Sequence, residues 1–463
     1  MTETQISFAV SVTCLILSLI SFPCSSSSPD QQFQVFDVSA SLQQTHQVFS
    51  IQQTQFSTSS TVQHDSGLSL TLHPRPVFLF NNNINNNYTS LTLSRLKRDE
   101  AHVHSRYHPK NLESPVISGL SQGSGEYFAR IGVGRPAKKF SMVIDSGSDL
   151  NWLQCKPCFD CYNQSDPIFN PSTSSTYKPL PCNSNECKSL QDSACRIDSC
   201  LYQISYGDNS YTVGNLATET ISFGSSGNVP NVAIGCGHNN EGLFSGAAGL
   251  LGLGGGPLSL PSQIKAKSFS YCLVNRDSSL SSTLDFNSAQ PNDSVLAPLL
   301  INRFVKTFRY VHLTGISVGG RAVNIPPYMF ELGRDGRGGV IIDSGTAVTR
   351  FRVEVYELFR DAFVSMTRGL PLADGFSLFD TCYDLSTMAR VTVPTVSFRF
   401  SRGKTLPLQP SNYLIPVDNA GKFCFAFAGM SGSMSIIGNV QQQGIRVSYD
   451  LANNFIAFSP NKC

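Results

Sequence analysis

Val143-Ile144-Asp145-Ser146-Gly147-Ser148 and Ile341-Ile342-Asp343-Ser344-Gly345-Thr346 are two versions of one phrase in a single chain. Each runs from apolar β-branched residues into an acid, a small hydroxyl residue, a glycine and a second hydroxyl residue. The apolar run reads as a buried strand. The carboxylate at its end therefore stands at the edge of a core, where its desolvation must be compensated. Glycine lets the chain turn back sharply, and Ser or Thr supplies short hydrogen bonds to the acid. A single such phrase is the ordinary signature of a turn or cap. Two in matched context make Asp145 and Asp343 a pair for acid–base chemistry.

The rest of the chain bounds this reading. At 463 residues it has room for two or three domains. With 41% hydrophobic and 14% charged residues it can fill a large core, and its formal charge of +2 gives no reason to expect nucleic acid or an anionic membrane as partner. Abundant Gly, Pro, Ser and Thr, with few long charged helical faces, indicate a mostly β protein. Residues 8–20 form an apolar run too short to span a bilayer comfortably, and residues 1–24 read as a secretory signal rather than an anchor. Of the 14 cysteines, Cys14 and Cys24 lie in or beside that signal, and the other twelve imply a framework of up to six disulfides. The Cys155-x-x-Cys158-x-x-Cys161 spacing resembles a zinc motif, but no paired histidines accompany it. No metal and no cofactor are expected.

Residues 25–115 read as a partly disordered leader. Its first part is rich in Ser, Gln and Thr, followed by an asparagine run. Leu91 to His108 is basic and helix-compatible, and six of the eight histidines precede residue 115. Such a leader suits a removable pro-segment whose cations sit against acidic groups and whose histidines charge on acidification; a solvated linker fits the composition equally well. The compact part, residues 116–463, divides into lobes at 116–290 and 291–463. The first carries a Cys-rich insertion at 155–200, and polar Ser281–Ala297 serves as the connection. Residues 200–214 read as a β-hairpin, and Val353–Met366 as a helix with Val355, Leu358, Phe359, Ala362 and Phe363 on its inner face. Leu250-Leu251-Gly252 is echoed by Ile436-Ile437-Gly438 at a similar distance from the preceding acid, the mark of a duplicated lobe. Sequons stand at Asn87, Asn163 and Asn292.

These residues resemble the pepsin-like aspartic proteases, over roughly residue 120 to the end. The resemblance rests on both Asp-Ser-Gly phrases, Trp152, Tyr206-Gly207 in the hairpin and the two apolar-apolar-Gly segments. The twelve cysteines and the insertion after Trp152 resemble the plant nepenthesin-type branch. The stretches beginning at Cys236 and Ile436 resemble the guard-cell aspartic proteases within it. The resemblance implies a bilobal fold of two duplicated β-barrel-like lobes with the site in the cleft between them. Ser146 and Ser344 would brace the two acids across the lobes, Ser148 and Thr346 would bond the outer carboxylate oxygens, and Gly147 and Gly345 would bring backbone N–H groups to them. Tyr206, Gly207 and Asp208 would form a flap over substrate, with Trp152 bonded to Tyr206 beneath it. The implied disulfides are Cys155–Cys158, Cys161–Cys236, Cys182–Cys200, Cys187–Cys195, Cys272–Cys463 and Cys382–Cys424.

Chemically, two carboxylates about 3 Å apart cannot both ionise, so such a pair holds one proton and can activate a water between them. The expectation is an aspartic endopeptidase with an acidic optimum and apolar residues flanking the scissile bond. It would be secreted as a zymogen to the apoplast, or held in the ER or vacuole. It would be monomeric, without membrane insertion, acting on proteins or peptides and blocked by pepstatin-like inhibitors. The alternative is an inactive relative serving as a binding or inhibitor protein; intact Asp145, Asp343, Gly147, Gly345 and Tyr206 argue against it.

Overall fold

The structure is a computed structural model that describes residues 32–48, 67–74, 87–107 and 127–463, except 206–209, 243, 245, 279 and 289. The signal segment and the flap residues Tyr206, Gly207 and Asp208 lie outside the described residues. Among those described, no helix is long and apolar enough to cross a membrane.

The leader supplies β1 (Phe33–Asp37), α1 (Val38–Gln47), β2 (Leu68–Pro74) and α2 (Tyr88–Tyr107). The first lobe contains β3 (Tyr127–Val133), β4 (Lys138–Asp145), β5 (Trp152–Gln154), β6 (Ser199–Ser205), β7 (Tyr211–Ser222), β8 (Asn228–Glu241) and β9 (Gly249–Gly252). Then come β10 (Ser268–Cys272), β11 (Ser282–Phe286) and β12 (Val295–Leu300). The second lobe carries β13 (Val340–Ile342), β14 (Thr349–Arg352), α3 (Val353–Met366), β15 (Arg390–Pro394) and β16 (Ser435–Ile437). It ends in β17 (Ile445–Asp450) and β18 (Phe455–Pro460).

The duplication is visible in the pairing. β4 runs parallel to β9, with Gly252 opposite Asp145, and β13 runs parallel to β16, with Ile437 opposite Ile342. Each acid strand thus has its apolar-apolar-Gly partner beside it, and the buried runs are apolar on both faces, as a covered parallel pair requires. The glycines allow the approach. A Cβ at Gly252 would lie 2.4 Å from Asp149 O, and one at Gly438 would lie 2.7 Å from Ala347 O.

Two expectations change. Ser281–Ala297 is not a free connection: β11 pairs β10 and β12 pairs β18, while β10 pairs β17, so the segment forms part of a sheet shared by both lobes. Leu284, Phe286 and Ala297 are buried there, and those apolar positions outweigh the polar composition around them. The leader is also more ordered than its composition indicates. β2 is inserted between β11 and β3, and β1 pairs β15 on the second lobe. Leu70 and Leu72 are buried, and Phe36 packs edge-on against Phe423. The helix Val353–Met366 forms as expected, with Val355, Phe359 and Phe363 buried and Ala362 partly buried; Leu358 faces outward and Tyr356 takes its place.

Four of the implied disulfides are corrected. Cys155 bonds Cys236 and Cys158 bonds Cys161, while Cys182 bonds Cys195 and Cys187 bonds Cys200. The register of β5 against β8 sets Leu153 beside Cys236 and brings the next strand end, Cys155, to it. In both cases buried sulfurs pair with buried ones, Cys155 with Cys236 and Cys187 with Cys200, leaving the more exposed cysteines to each other. Cys272–Cys463 and Cys382–Cys424 are bonded as the resemblance implied. All three cysteines of the zinc-like spacing are therefore in disulfides.

Candidate active site

Asp145 closes β4, Asp343 follows β13, and both are fully buried. Each takes the N–H two residues on: Gly147 N–H donates to Asp145 Oδ1 and Gly345 N–H to Asp343 Oδ1, both at 2.9 Å. The turn after each strand thus puts a backbone donor on the carboxylate it has just buried, compensating part of the desolvation.

The loops meet through their serines. Ser146 N–H donates to Ser344 Oγ (3.1 Å) and Ser344 N–H donates to Ser146 Oγ (2.9 Å), while Ser146 Oγ also donates to Ile342 O (3.3 Å). All of these atoms are buried, where an unpartnered N–H would cost about 1–3 kcal/mol. The reciprocal pair therefore fixes one acid loop against the other.

The outer hydroxyls behave differently in the two copies. Thr346 Oγ1 donates to Asp343 Oδ2 at 2.8 Å. The equivalent Ser148 Oγ is buried and has no protein partner among the described residues, so the symmetric bond expected of it is not made. Without a β-methyl to restrict χ1, serine has more rotamer freedom than threonine at that position. Asp149, next along, accepts from Gly256 N–H (2.8 Å) and Thr307 Oγ1 (2.6 Å). Burial holds its carboxyl above the usual aspartate range, against the lowering effect of these two bonds. Arg309 Nη2 donates to Gly254 O close by (2.8 Å), and burial lowers its pKa.

The second loop is held by side-chain amides that the sequence reading did not single out. Asn439 Nδ2 donates to Ser344 O (3.1 Å). Gln442 Nε2 donates to Asp343 O (3.3 Å) and Ile437 O (3.0 Å), and its Oε1 accepts from Tyr271 OH (2.6 Å). Gln441 Oε1 accepts from Thr349 N–H at 3.1 Å. The signal available was a run of glutamines directly after an apolar-apolar-Gly segment, where buried amides have to serve backbone groups. A leader residue joins them: Asp99 of α2 accepts from the N–H of Ala347 and of Val348 and pairs with Arg350. The leader cation Arg95 reaches Asp277 (2.8 Å), which also accepts from Tyr88 OH (2.6 Å).

The hairpin expected to carry the flap forms as β6 and β7, with Ser205 opposite Tyr211; its tip lies outside the described residues, and with it the expected Trp152–Tyr206 bond. Trp152 is fully buried and packs edge-on against Phe244, 4.9 Å between centroids. Asn87, Asn163 and Asn292 are all exposed.

Two parallel-paired acid strands, one per lobe, with their turns locked by reciprocal serine bonds, define the pepsin-like class of bilobal acid proteases. Comparison with known proteins agrees. The family models described as xylanase inhibitor N-terminal and C-terminal match residues 127–286 and 309–460. Aspartyl protease family protein 2 of Arabidopsis thaliana is 54% identical over 363 residues, covering 77% of this chain and 74% of that protein. Protein ASPARTIC PROTEASE IN GUARD CELL 2 of the same plant is 50% identical, covering 78% and 77%. Aspartic proteinase nepenthesin-1 of Nepenthes gracilis is 41% identical, covering 80% and 84%. Among solved structures, edgp superposes with a TM-score of 0.59 at 19% identity, covering 74% of this chain and 92% of that one; this likeness speaks to the fold alone. The chain belongs to the pepsin-like aspartic protease family, in its plant nepenthesin-type branch, and is an aspartic-type endopeptidase.

Proposed function

We propose that Asp145 and Asp343 are the catalytic dyad of an acid-acting endopeptidase made as a zymogen. The observation that carries this is the reciprocal Ser146–Ser344 bonding between two buried, N–H-capped acids. Side by side, the carboxylates share one proton. The ionised member takes a proton from a water held between them; that water attacks the peptide carbonyl, and the protonated member donates to the carbonyl oxygen. Gly147 and Gly345 hold the inner oxygens and Thr346 an outer one, so the acids do not turn away as charge moves. Ser148 is free to bond its acid when substrate is bound. Tyr206, Gly207 and Asp208 would close over the substrate and exclude water, with Trp152 supporting them.

Release to an oxidising compartment fits six disulfides, and exposed Asn87, Asn163 and Asn292 fit glycosylation on the secretory route to the apoplast or vacuole. An apolar preference beside the scissile bond, pepstatin sensitivity and a monomeric state belong to the same reading. Residues 25–115 would be removed, since α2 contacts the loop beyond Asp343. Digestion of a denatured protein at acid pH tests this, with wild type cutting in a pepstatin-sensitive way and Asp145→Asn or Asp343→Asn not. Undiminished digestion by both variants would overturn it.

A further inference from the structure

Leader residue Asp99 occupies a cradle that is made by the second lobe and begins one residue beyond Thr346. Its Oδ1 accepts from the backbone N–H of Ala347 and of Val348 (3.3 Å for the latter), and its Oδ2 from Arg350 Nη2 (2.8 Å). The Asp99 side chain is fully buried and that of Arg350 is 7% exposed. Leu96, one turn earlier on α2, packs in the same apolar cluster as Ala347 and Val348. The helix carries its carboxylate into the pocket as a plug.

Three donors converging on one carboxylate, two of them backbone, form a recognition geometry that a guanidinium suits better than an ammonium. Arg350 Nε has no protein partner among the described residues, so the guanidinium has a donor in reserve for a second oxygen. The cradle also lies next to the chemistry: Thr346, whose hydroxyl holds Asp343 Oδ2, is joined directly to Ala347. A peptide extended across the dyad advances about 3.3 Å per residue. It would bring a side chain to Ala347–Arg350 within a few residues of the scissile bond. When α2 leaves, Arg350 and two N–H groups lose the carboxylate that they hold.

We propose that this cradle is a carboxylate-binding subsite, and that the mature protease takes there an ionised Asp or Glu side chain of its substrate. The inference rests on the leader removal proposed above. It adds an acidic residue at one position to the apolar preference next to the cut.

The test uses full-length protein activated by acid, with the intact mass of the same sample recording whether residues up to about Lys110–Gly123 have gone. Peptides sharing one apolar cleavage site carry Glu or Gln at each position in turn and are assayed near pH 5, where a free Glu is largely ionised. Wild type should favour Glu over Gln about tenfold in kcat/KM at one position, and Arg350→Gln should erase that ratio. Should Arg350→Gln fail to fold, wild type alone decides: a synthetic peptide of residues 88–107 should inhibit the activated enzyme, and Asp99→Asn in that peptide should weaken inhibition about tenfold. Loss of the leader with no Glu preference at any position, or equal inhibition by the two peptides, overturns the subsite alone. An active chain that keeps its leader overturns the zymogen reading, and the subsite with it, because Asp99 then never vacates the cradle.

Discussion

The two acid loops are near-copies in sequence, yet they are supported in different ways. The first, Asp145–Asp149, is anchored by its own last residue, Asp149, on Gly256 and Thr307, and Ser148 Oγ has no protein partner among the described residues. The second, Asp343–Arg350, is tied through Thr346, through Asn439, Gln441 and Gln442, and through Asp99 of the leader. The parts that the proposed chemistry uses, acid, glycine N–H and reciprocal serine, are duplicated. The parts that only hold those in place have diverged, since any donor of the right reach can do that work. Among the described residues the leader's Asp99 is bonded to the second of the two supports, so its departure removes a carboxylate from that loop.

The largest effect is expected at the acids. Asp145→Asn and Asp343→Asn should each lower turnover by roughly a thousandfold or more, measured as pepstatin-sensitive peptide cleavage. Next comes the leader. His73 of β2, opposite Phe128 of β3, is nearly buried, and burial with a smaller contribution from Arg130 lowers its pKa from 6.5 to about 4. The folded state resists a proton that the unfolded chain accepts, so stability falls as pH drops from 6.5 to about 4 and the full penalty is present below that. The difference corresponds to about 3 kcal/mol. His73→Phe should leave the melting temperature near pH 7 almost unchanged, raise it near pH 4, and shift leader release to lower pH. A parallel fall in both proteins would remove His73 as the acid-sensitive element.

Smaller effects sharpen the asymmetry. Gln442→Leu strips Asp343 O and Ile437 O of a donor and leaves Tyr271 OH without its acceptor at Gln442, at a cost of about 2 kcal/mol in denaturant unfolding. Thr346→Ala should cost about 1 kcal/mol and narrow the pH range of activity, because it removes the Thr346 donor from Asp343 Oδ2. Ser148→Ala should change stability by less than about 0.5 kcal/mol. Equal costs for the last two would mean that the two loops are supported alike.

The acids, their glycines and the bracing serines were legible because duplication lifts a common turn pattern out of the background. The helix Val353–Met366 was legible because its period is local. The disulfides were not: Cys155 reaches Cys236 only through the register of β5 on β8, and which of Cys182 and Cys187 meets Cys200 depends on which sulfur lies under the sheet. Nor was the ordering of the leader. Leu68-Ser69-Leu70-Thr71-Leu72 does alternate, but the run is short and set in a polar segment, and its place between β3 and β11 is fixed by distant strands. Asp99 was invisible for the same reason, since its partners lie some 250 positions away and are backbone groups that carry no residue signature.

The most direct test of a single site built from two loops is the double variant Asp145→Asn/Asp343→Asn, assayed beside each single variant on one peptide. If the two carboxylates act as one unit, the double loss equals either single loss. If the losses multiply, or if either single variant keeps its activity, the acids work separately and the account fails.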